Sequence, residues 1–329
     1  MVRGRVFGLL ITGTAVMAGL AVAAPAAPAA LAAVAAGAAD TTAPGAPGAA
    51  SYFDLARKDC VGTAAAQGSK VWYTVAGGVL SDVYEPTIDN TNVSTLQYVV
   101  TNGATFSDLQ TRDMTYTVAA DPTGMACTVT STDASHGFQL VTTYVTDPAS
   151  DTVLMHTTLR AVPGSGTSLA GLHLYARLDA HVNGNGGGGS QNAGANSGVV
   201  DTSGSAPVPV IFSTNTVTNA DNRDYAVPTY MALAASGGPG SGGTASVGYA
   251  GTASDGLTRL DSAHALTPYT SAPDGHIVAT EDVTPSHGDS VTLALGFGRS
   301  QAQSVSVAEQ SLRQPFGSIA LEYLHGWAG

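Results

Sequence analysis

Alternation of apolar and polar residues dominates the chain from residue 69 to residue 297, and it predicts β-strands. The clearest case is Gly171–Val182, in which the apolar positions are Leu172, Leu174, Ala176, Leu178, Ala180 and Val182. The intervening polar positions are His173, Tyr175, Arg177, Asp179 and His181. Only a period of two residues separates the two sets, because a helix would scatter both around its circumference.

Shorter runs of the same kind are separated by turn residues such as Gly77-Gly78 and Asp147-Pro148. Many strands without interleaved helices predict an antiparallel sandwich. The pattern changes at residue 301, after which Val305, Ala308 and Leu312 stand at helical spacing until Pro315 interrupts it. The predicted fold class is therefore all-β, with a short helical C-terminal tail.

The beginning of the chain has the pattern of a secretory signal peptide, assigned to residues 1–38. Arg3 and Arg5 precede a nearly uncharged run rich in Ala, Leu and Val, and small-residue cleavage sites follow. A membrane anchor is the alternative, since the run nearly reaches the length of a spanning helix. Residues 39–51 are rich in Ala, Pro and Gly, which predicts an unpacked spacer, so we expect the folded domain to begin near Tyr52.

Composition narrows the choice of partners. Charged residues make up 11% of the chain and its net charge is -12, which excludes nucleic acid and anionic membranes because both require a basic surface. A neutral ligand such as a polysaccharide suits this surface. The two cysteines, Cys60 and Cys127, predict a disulfide in an exported protein, with two buried free thiols as the alternative.

Several motifs resemble the N-terminal domain of bacterial glucoamylases and glucodextranases, in glycoside hydrolase family 15. They occur in the expected order from Tyr52 to Trp327: VGTAAAQGSKVWYTVAGGVLSDVYEPTIDN, LQYVVTNG, TTYVTDP, LDAHVNGNGGGG, GYAGTASDGLTRL and LALGFG. The resemblance implies a large antiparallel two-sheet super-sandwich, similar to galactose mutarotase, over residues 52–300. It also implies that residues 301–329 are a helical linker to an (α/α)6 catalytic barrel.

In that family the barrel carries the two glutamates that hydrolyse terminal α-glucosidic bonds with inversion. The resemblance therefore implies that this chain alone has no catalytic residue and no cofactor. One position departs from the family, because Glu85 stands where a second tyrosine is frequent, so Glu85 takes no role from the resemblance. The implied partners are a catalytic barrel, in cis or in trans, and an α-glucan.

The polar face of the 171–182 strand is the best candidate interaction surface. His173, Tyr175, Arg177 and Asp179 would bind sugar, with Tyr175 stacking on a ring and the charged groups bonding hydroxyls. Docking against the barrel is a second interpretation, and an ordinary solvated sheet face, with Arg177 paired to Asp179, is a third. Trp72 and Tyr73 offer at most one further platform, because alternation turns one of them to the core.

Other candidate chemistry is weaker. Asp82, Glu85 and Asp89 are interpreted as solvated turn residues, and not as the carboxyl pair of a glycosidase. His173 and His181 cannot share a metal ion, because eight residues of strand span about 27 Å. The run Gly186–Gly189 is interpreted as a loop, since no phosphate-binding lysine follows it. No metal site is predicted.

The tail carries large apolar residues that we expect to pack on a partner domain: Leu312, Phe316, Ile319, Leu321, Leu324 and Trp327. Three functional hypotheses follow. The first is an accessory domain that stabilises a catalytic barrel, and the second is a free-standing carbohydrate-binding module. The third is a mutarotase-like enzyme, which would need a glutamate converging with a histidine and has only Glu85, Glu281, Glu309 and Glu322 to draw on.

Overall fold

A computed structural model describes residues 41–49, 58–185, 196–216, 227–240 and 243–328 of the chain. The predicted signal peptide, residues 1–38, and the predicted loop residues Gly186–Gly189 lie outside the described residues. The described part forms two antiparallel sheets, four helices and few other elements, which confirms the predicted super-sandwich with a helical tail. None of the described helices is long and apolar enough to cross a membrane.

The smaller sheet has eight strands in the order β1-β2-β3-β4-β10-β16-β14, with β5 paired to β4. Its strands are β1 Cys60–Thr63, β2 Trp72–Ala76, β3 Val79–Tyr84, β4 Asn90–Thr101, β5 Ser107–Leu109, β10 His173–Asn185, β14 Ala245–Tyr249 and β16 Ile277–Asp282. Two short helices accompany this sheet, α1 Gln110–Asp113 and α2 Gly256–Ala263.

The larger sheet has nine strands in the order β15-β11-β12-β13-β17-β9-β8-β7-β6. Its strands are β6 Thr115–Ala120, β7 Cys127–Asp133, β8 Phe138–Thr146, β9 Thr152–Ala161, β11 Asn196–Asp201, β12 Val208–Ser213, β13 Thr229–Ser236, β15 Ser271–Gly275 and β17 Ser290–Gly298. The tail supplies the helices α3 Gln301–Leu312 and α4 Phe316–Ala328.

The main core lies between the two sheets, and the period of two decides which side chains enter it. The alternate apolar residues of β10 belong to this core from Leu174 to Val182. Two of the buried tyrosines in this core have their hydroxyls bonded: Tyr73 donates to the carbonyl of Tyr144 at 2.9 Å, and the Tyr98 hydroxyl lies 2.7 Å from that of Thr157. These bonds satisfy polar atoms that would otherwise be costly to bury. Because Tyr73 faces the core, Trp72 faces away from it, as alternation predicted.

The predicted disulfide between Cys60 and Cys127 is present. Cys60 belongs to β1 of the smaller sheet and Cys127 to β7 of the larger one. The bond therefore joins the two layers of the sandwich across 67 residues of sequence.

The N-terminal boundary differs from the prediction, because part of the expected spacer is packed. Thr42 forms a parallel bridge with Ser271, and Ala43 is 3% exposed within the main core. Gly48 lies against the ring of Tyr249 so closely that an added Cβ would be 2.4 Å from it. Residues 41–49 thus belong to the domain, and the packed chain begins before Tyr52. Composition could not show this, because small residues are equally suited to a spacer and to a tight groove.

The C-terminal boundary differs too, because the tail packs on the sandwich itself. Helix α3 lies on β17, where an added Cβ at Gly296 would be 2.6 Å from the backbone of Ala308. On α4, Ile319 and Tyr323 are buried in a second apolar cluster outside the larger sheet, and Tyr323 donates to the carbonyl of Met125 at 2.6 Å. Residues 301–328 are therefore part of this domain's packing, and the domain does not end at residue 300.

The large apolar residues of the tail, predicted to face a partner domain, fall into a buried group and an exposed group. Besides Ile319, the residues of this set that contact the second cluster are Leu312, Phe316 and Leu324, which are partly buried. Leu321 is 59% exposed and Trp327 is 42% exposed. Only these two residues of the set present a large exposed apolar side chain.

Candidate functional site

The polar face of β10 is covered, which corrects the prediction of an open binding surface. His173 is exposed at the start of the strand, but Tyr175 is 8% exposed, Arg177 6% and His181 1%. The ring of Tyr175 packs in a third apolar cluster with Val99, Leu109 and Leu260. Leu260 belongs to helix α2, so this helix removes the free ring that a sugar platform would need.

Arg177 is the centre of a buried charge network under α2. Its guanidinium donates two bonds to Asp255, from Nη2 to Oδ2 at 2.8 Å and from Nε to Oδ1 at 3.2 Å. A third bond runs from Nη1 to Asp179 Oδ2 at 3.3 Å. Asp255 is also the N-cap of α2, where Oδ1 accepts from the Leu257 backbone N–H at 2.9 Å. The network therefore fixes the start of the covering helix to the sheet.

The fourth member of this network is His276, whose Nε2 lies 2.6 Å from Asp179 Oδ1. Burial opposes ionisation of Asp179, but the bond from His276 and the charge of Arg177 outweigh it and hold the pKa of Asp179 below its usual value. The sequence pattern predicts the pairing of Arg177 with Asp179 but gives no sign of the partners Asp255 and His276, which lie far along the chain. An Asp before a short amphipathic run was the available signal for a capped helix.

A second polar network occupies the end of the sandwich where β10 ends and α3 begins. Glu85 is 1% exposed and pairs with Arg299, the residue before the N-cap of α3. Arg299 also donates to the carbonyl of Pro228 and to the hydroxyl of Thr229, each at 3.2 Å. Burial raises the pKa of Glu85 to about 7, although the charge of Arg299 acts in the opposite direction.

The acidic residues 82, 85 and 89 therefore do not form one solvated turn. Asp82 is fully buried and pairs with Lys58, and Glu85 is buried against Arg299, whereas Asp89 is exposed. The prediction of a solvated turn is wrong for Asp82 and Glu85, because the cations that pair with them, Lys58 and Arg299, belong to other segments of the chain. Their ion pairs connect β3 and the turn after it to other parts of the chain, which indicates a structural use.

Glu281 lines a cavity of about 370 Å³ near the end of α3, together with Glu309 and Arg313. It is 5% exposed, and its Oε2 atom has no hydrogen-bond partner among the described residues. Burial, with Asp282 adding to it, raises the pKa of Glu281 well above the ordinary value. The raised pKa means that burial disfavours the ionised form of this carboxyl.

An apolar groove of about 200 Å³ lies beside β1, on the face of the sheet that Trp72 occupies. The residues that line it include Val61, Thr63, Trp72, Tyr84 and Ile88. Val61 is 53% exposed and Ile88 60%, and the indole of Trp327 donates to the carbonyl of Thr63 at 2.8 Å. The exposed end of α4 and this groove therefore form one surface, which we name the β1–α4 surface.

These features define a large two-sheet β-sandwich domain that carries its own helical tail and has most of its buried charges in pairs. The chain matches the family model described as glucodextranase, domain N, over residues 43–329, and it belongs to that family. The match includes the packed segment after residue 42 and the tail, in agreement with the boundaries that the structure gives.

Two similar proteins are glucoamylases. The glucoamylase of Clostridium sp. (strain G0005) is 27% identical over 274 residues, which is 83% of this chain and 35% of the relative. The crystal structure of a bacterial glucoamylase complexed with acarbose superposes with a TM-score of 0.74 at 25% identity, covering 88% of this chain and 39% of that one. The chain thus spans little more than a third of the length of either relative.

Proposed function

We propose that this chain is the secreted, non-catalytic accessory domain of an α-glucan hydrolase of the glucoamylase and glucodextranase type, in glycoside hydrolase family 15. The observation that carries the proposal is the family match over residues 43–329, which places the chain with a domain named as one part of glucodextranase. The buried carboxyls add support. Asp82 is paired with Lys58 and Glu85 with Arg299, and burial raises the pKa of Glu281.

The β1–α4 surface is the proposed contact with an (α/α)6 catalytic barrel. It combines the groove with three large side chains, Val61, Ile88 and Trp327, that are each more than 40% exposed. Exposed apolar groups that lie close together favour association with another surface. Exposed apolar side chains on a chain with only 11% charged residues are consistent with a surface that a partner domain covers.

The test mixes this chain with the barrel fragment that we expect to remain when the segment matching this chain is removed from the Clostridium glucoamylase. We expect the chain alone to release no glucose from starch or maltose, and we expect it to raise the Tm of the barrel. Ile88→Ser should abolish the rise in Tm, whereas Asp89→Asn, at the exposed neighbouring position, should leave it unchanged. Glucose release by the purified chain, retained through repurification, would contradict the proposal.

A carbohydrate-binding module is the second candidate, and a specific observation favours it. Trp72 and Tyr84 line the groove and are both partly exposed. Their two aromatic rings are therefore accessible to a sugar, whereas the ring of Tyr175 is buried. The chain contains two tryptophans, so its tryptophan fluorescence, excited selectively, reports on Trp72 and Trp327. Saturable quenching by maltooligosaccharides that is lost in Trp72→Ala and kept in Trp327→Phe would support this candidate. The absence of quenching at high millimolar sugar would reject it.

A further inference from the structure

One end of the sandwich brings together two carboxylates and an imidazole from both sheets. Asp108 lies on β5 of the smaller sheet, and Asp133 and His136 lie at the end of β7 and in the turn after it, in the larger sheet. His136 Nδ1 is 2.6 Å from Asp108 Oδ2 and 3.4 Å from Asp133 Oδ2. One ligand atom from each residue lies within 4.8 Å of the others.

The surrounding structure holds these side chains in place. Asp133 uses Oδ1 to accept the backbone N–H of His136 at 2.8 Å, which leaves Oδ2 directed to the cluster. The ring of Phe106 stacks on the imidazole, with 3.8 Å between centroids and 9° between planes. The carbonyl of His136 accepts from the Thr167 hydroxyl at 2.9 Å. Such outer contacts are what orient the ligands of a metal site.

The cluster places two carboxyl groups beside a single imidazole. The Asp133 side chain is 1% exposed and that of Asp108 is 13% exposed, so water solvates neither carboxylate well. Asp108 Oδ2 is buried and has no well-directed hydrogen bond from any described residue. Two neighbouring carboxylates in such a place repel each other unless a proton or a cation lies between them.

We propose that Asp108, Asp133 and His136 bind a divalent transition-metal ion, with Zn²⁺ the ion that fits best. Carboxylate and imidazole ligands bind Zn²⁺ at roughly 2.0–2.2 Å, so two ligand atoms of a tetrahedral site lie about 3.3 Å apart. The distance of 3.4 Å between His136 Nδ1 and Asp133 Oδ2 is close to that value, and the 2.6 Å contact between Nδ1 and Asp108 Oδ2 would lengthen as the ion took its place. The side chain of His136 is 36% exposed, which leaves one side of the site open to a water ligand.

The ion would connect the two sheets at this end of the sandwich, as the disulfide connects them elsewhere. The site is separate from the β1–α4 surface, and it does not depend on the proposed accessory function. Its ligands come from Asp133 and His136, three residues apart, and from Asp108, which only the packing of the sheets brings near. The sequence-based prediction of no metal site rests on residues of a single strand, and it does not include side chains that the packing of the two sheets brings together.

The experiment uses the full chain after treatment with a chelator. Isothermal titration with Zn²⁺ should give about one site, and Zn²⁺ at a hundred times its Kd should raise the Tm by about 5 °C. Co²⁺ should give the visible absorption of a tetrahedral site with a nitrogen ligand. Ca²⁺ and Mg²⁺ should have little effect, because they prefer more oxygen ligands than this site offers.

Two variants test the assignment. Asp108→Asn keeps the shape of the side chain and removes its repulsion with Asp133, so the metal-free protein should be folded and at least as stable as wild type. Its Zn²⁺ affinity should fall at least about tenfold, and His136→Gln should lose as much. His287→Gln removes an exposed histidine elsewhere and should bind Zn²⁺ like wild type. Absence of binding, or wild-type binding by both site variants, would overturn the proposal and leave an ion-pair cluster only.

Discussion

Helix α4 is part of the domain's core, and replacing one of its side chains tests this directly. Ile319 is 1% exposed in the cluster outside the larger sheet, whereas Leu321, two residues later on the same helix, is 59% exposed. Ile319→Ala removes buried methyl and methylene groups and leaves a cavity, which typically costs about 2–5 kcal/mol. Leu321→Ala should change the free energy of unfolding by less than about 0.5 kcal/mol.

The two substitutions are matched, because each shortens a branched four-carbon side chain to alanine in the same helix. Urea titration followed by the circular dichroism of the sheets gives both free energies. For a domain of this size the Ile319→Ala loss corresponds to a fall in Tm of roughly 4–10 °C. Equal small effects of the two variants would show that α4 is not part of the cooperative fold, and would restore the interpretation of residues 301–329 as a linker alone.

Three further predictions follow from the structure. Cys60→Ser combined with Cys127→Ser should lower the free energy of unfolding by about 4 kcal/mol, since the bond closes 67 residues, and unreduced wild type should show no alkylatable thiol by mass spectrometry. Arg177→Met should cost about 3–5 kcal/mol in urea unfolding, because Asp255 and Asp179 lose their buried cation; a loss under 1 kcal/mol would contradict the network. The carboxyl of Glu85 should titrate near pH 7 by NMR. Because folding raises its pKa from 4.5, the contribution of Glu85 to the free energy of unfolding is fully present below pH 4.5. That contribution should fall by about 3 kcal/mol as the pH rises to 7 and slightly above. Glu85→Gln should remove that part of the pH dependence, and an NMR pKa near 4.5 would refute the burial argument.

Much of the local structure can be predicted from the order of residues along the chain. Strict alternation identified β10 and the side of it that enters the core, because a strand places successive side chains on opposite faces. The change to helical spacing after residue 300 identified α3 and α4. The cysteine count identified the disulfide, and ordered motifs identified the family. Each of these signals depends on neighbouring residues or on composition.

The segment that covers each face of a sheet is known only from the assembled fold. Tyr175 and Arg177 are on the polar side of their strand, but α2, some 80 residues later, buries them and supplies Asp255. Contacts between distant segments also account for the pairing of Glu85 with Arg299, of Ala43 with Ser271, and of Asp108 with His136. Alternation with a period of two residues shows which side chains share a face of a strand. It carries no information about which distant segment packs on that face. That choice is made by the summed packing and charge pairing of the whole domain, so it is visible only once the two sheets are assembled.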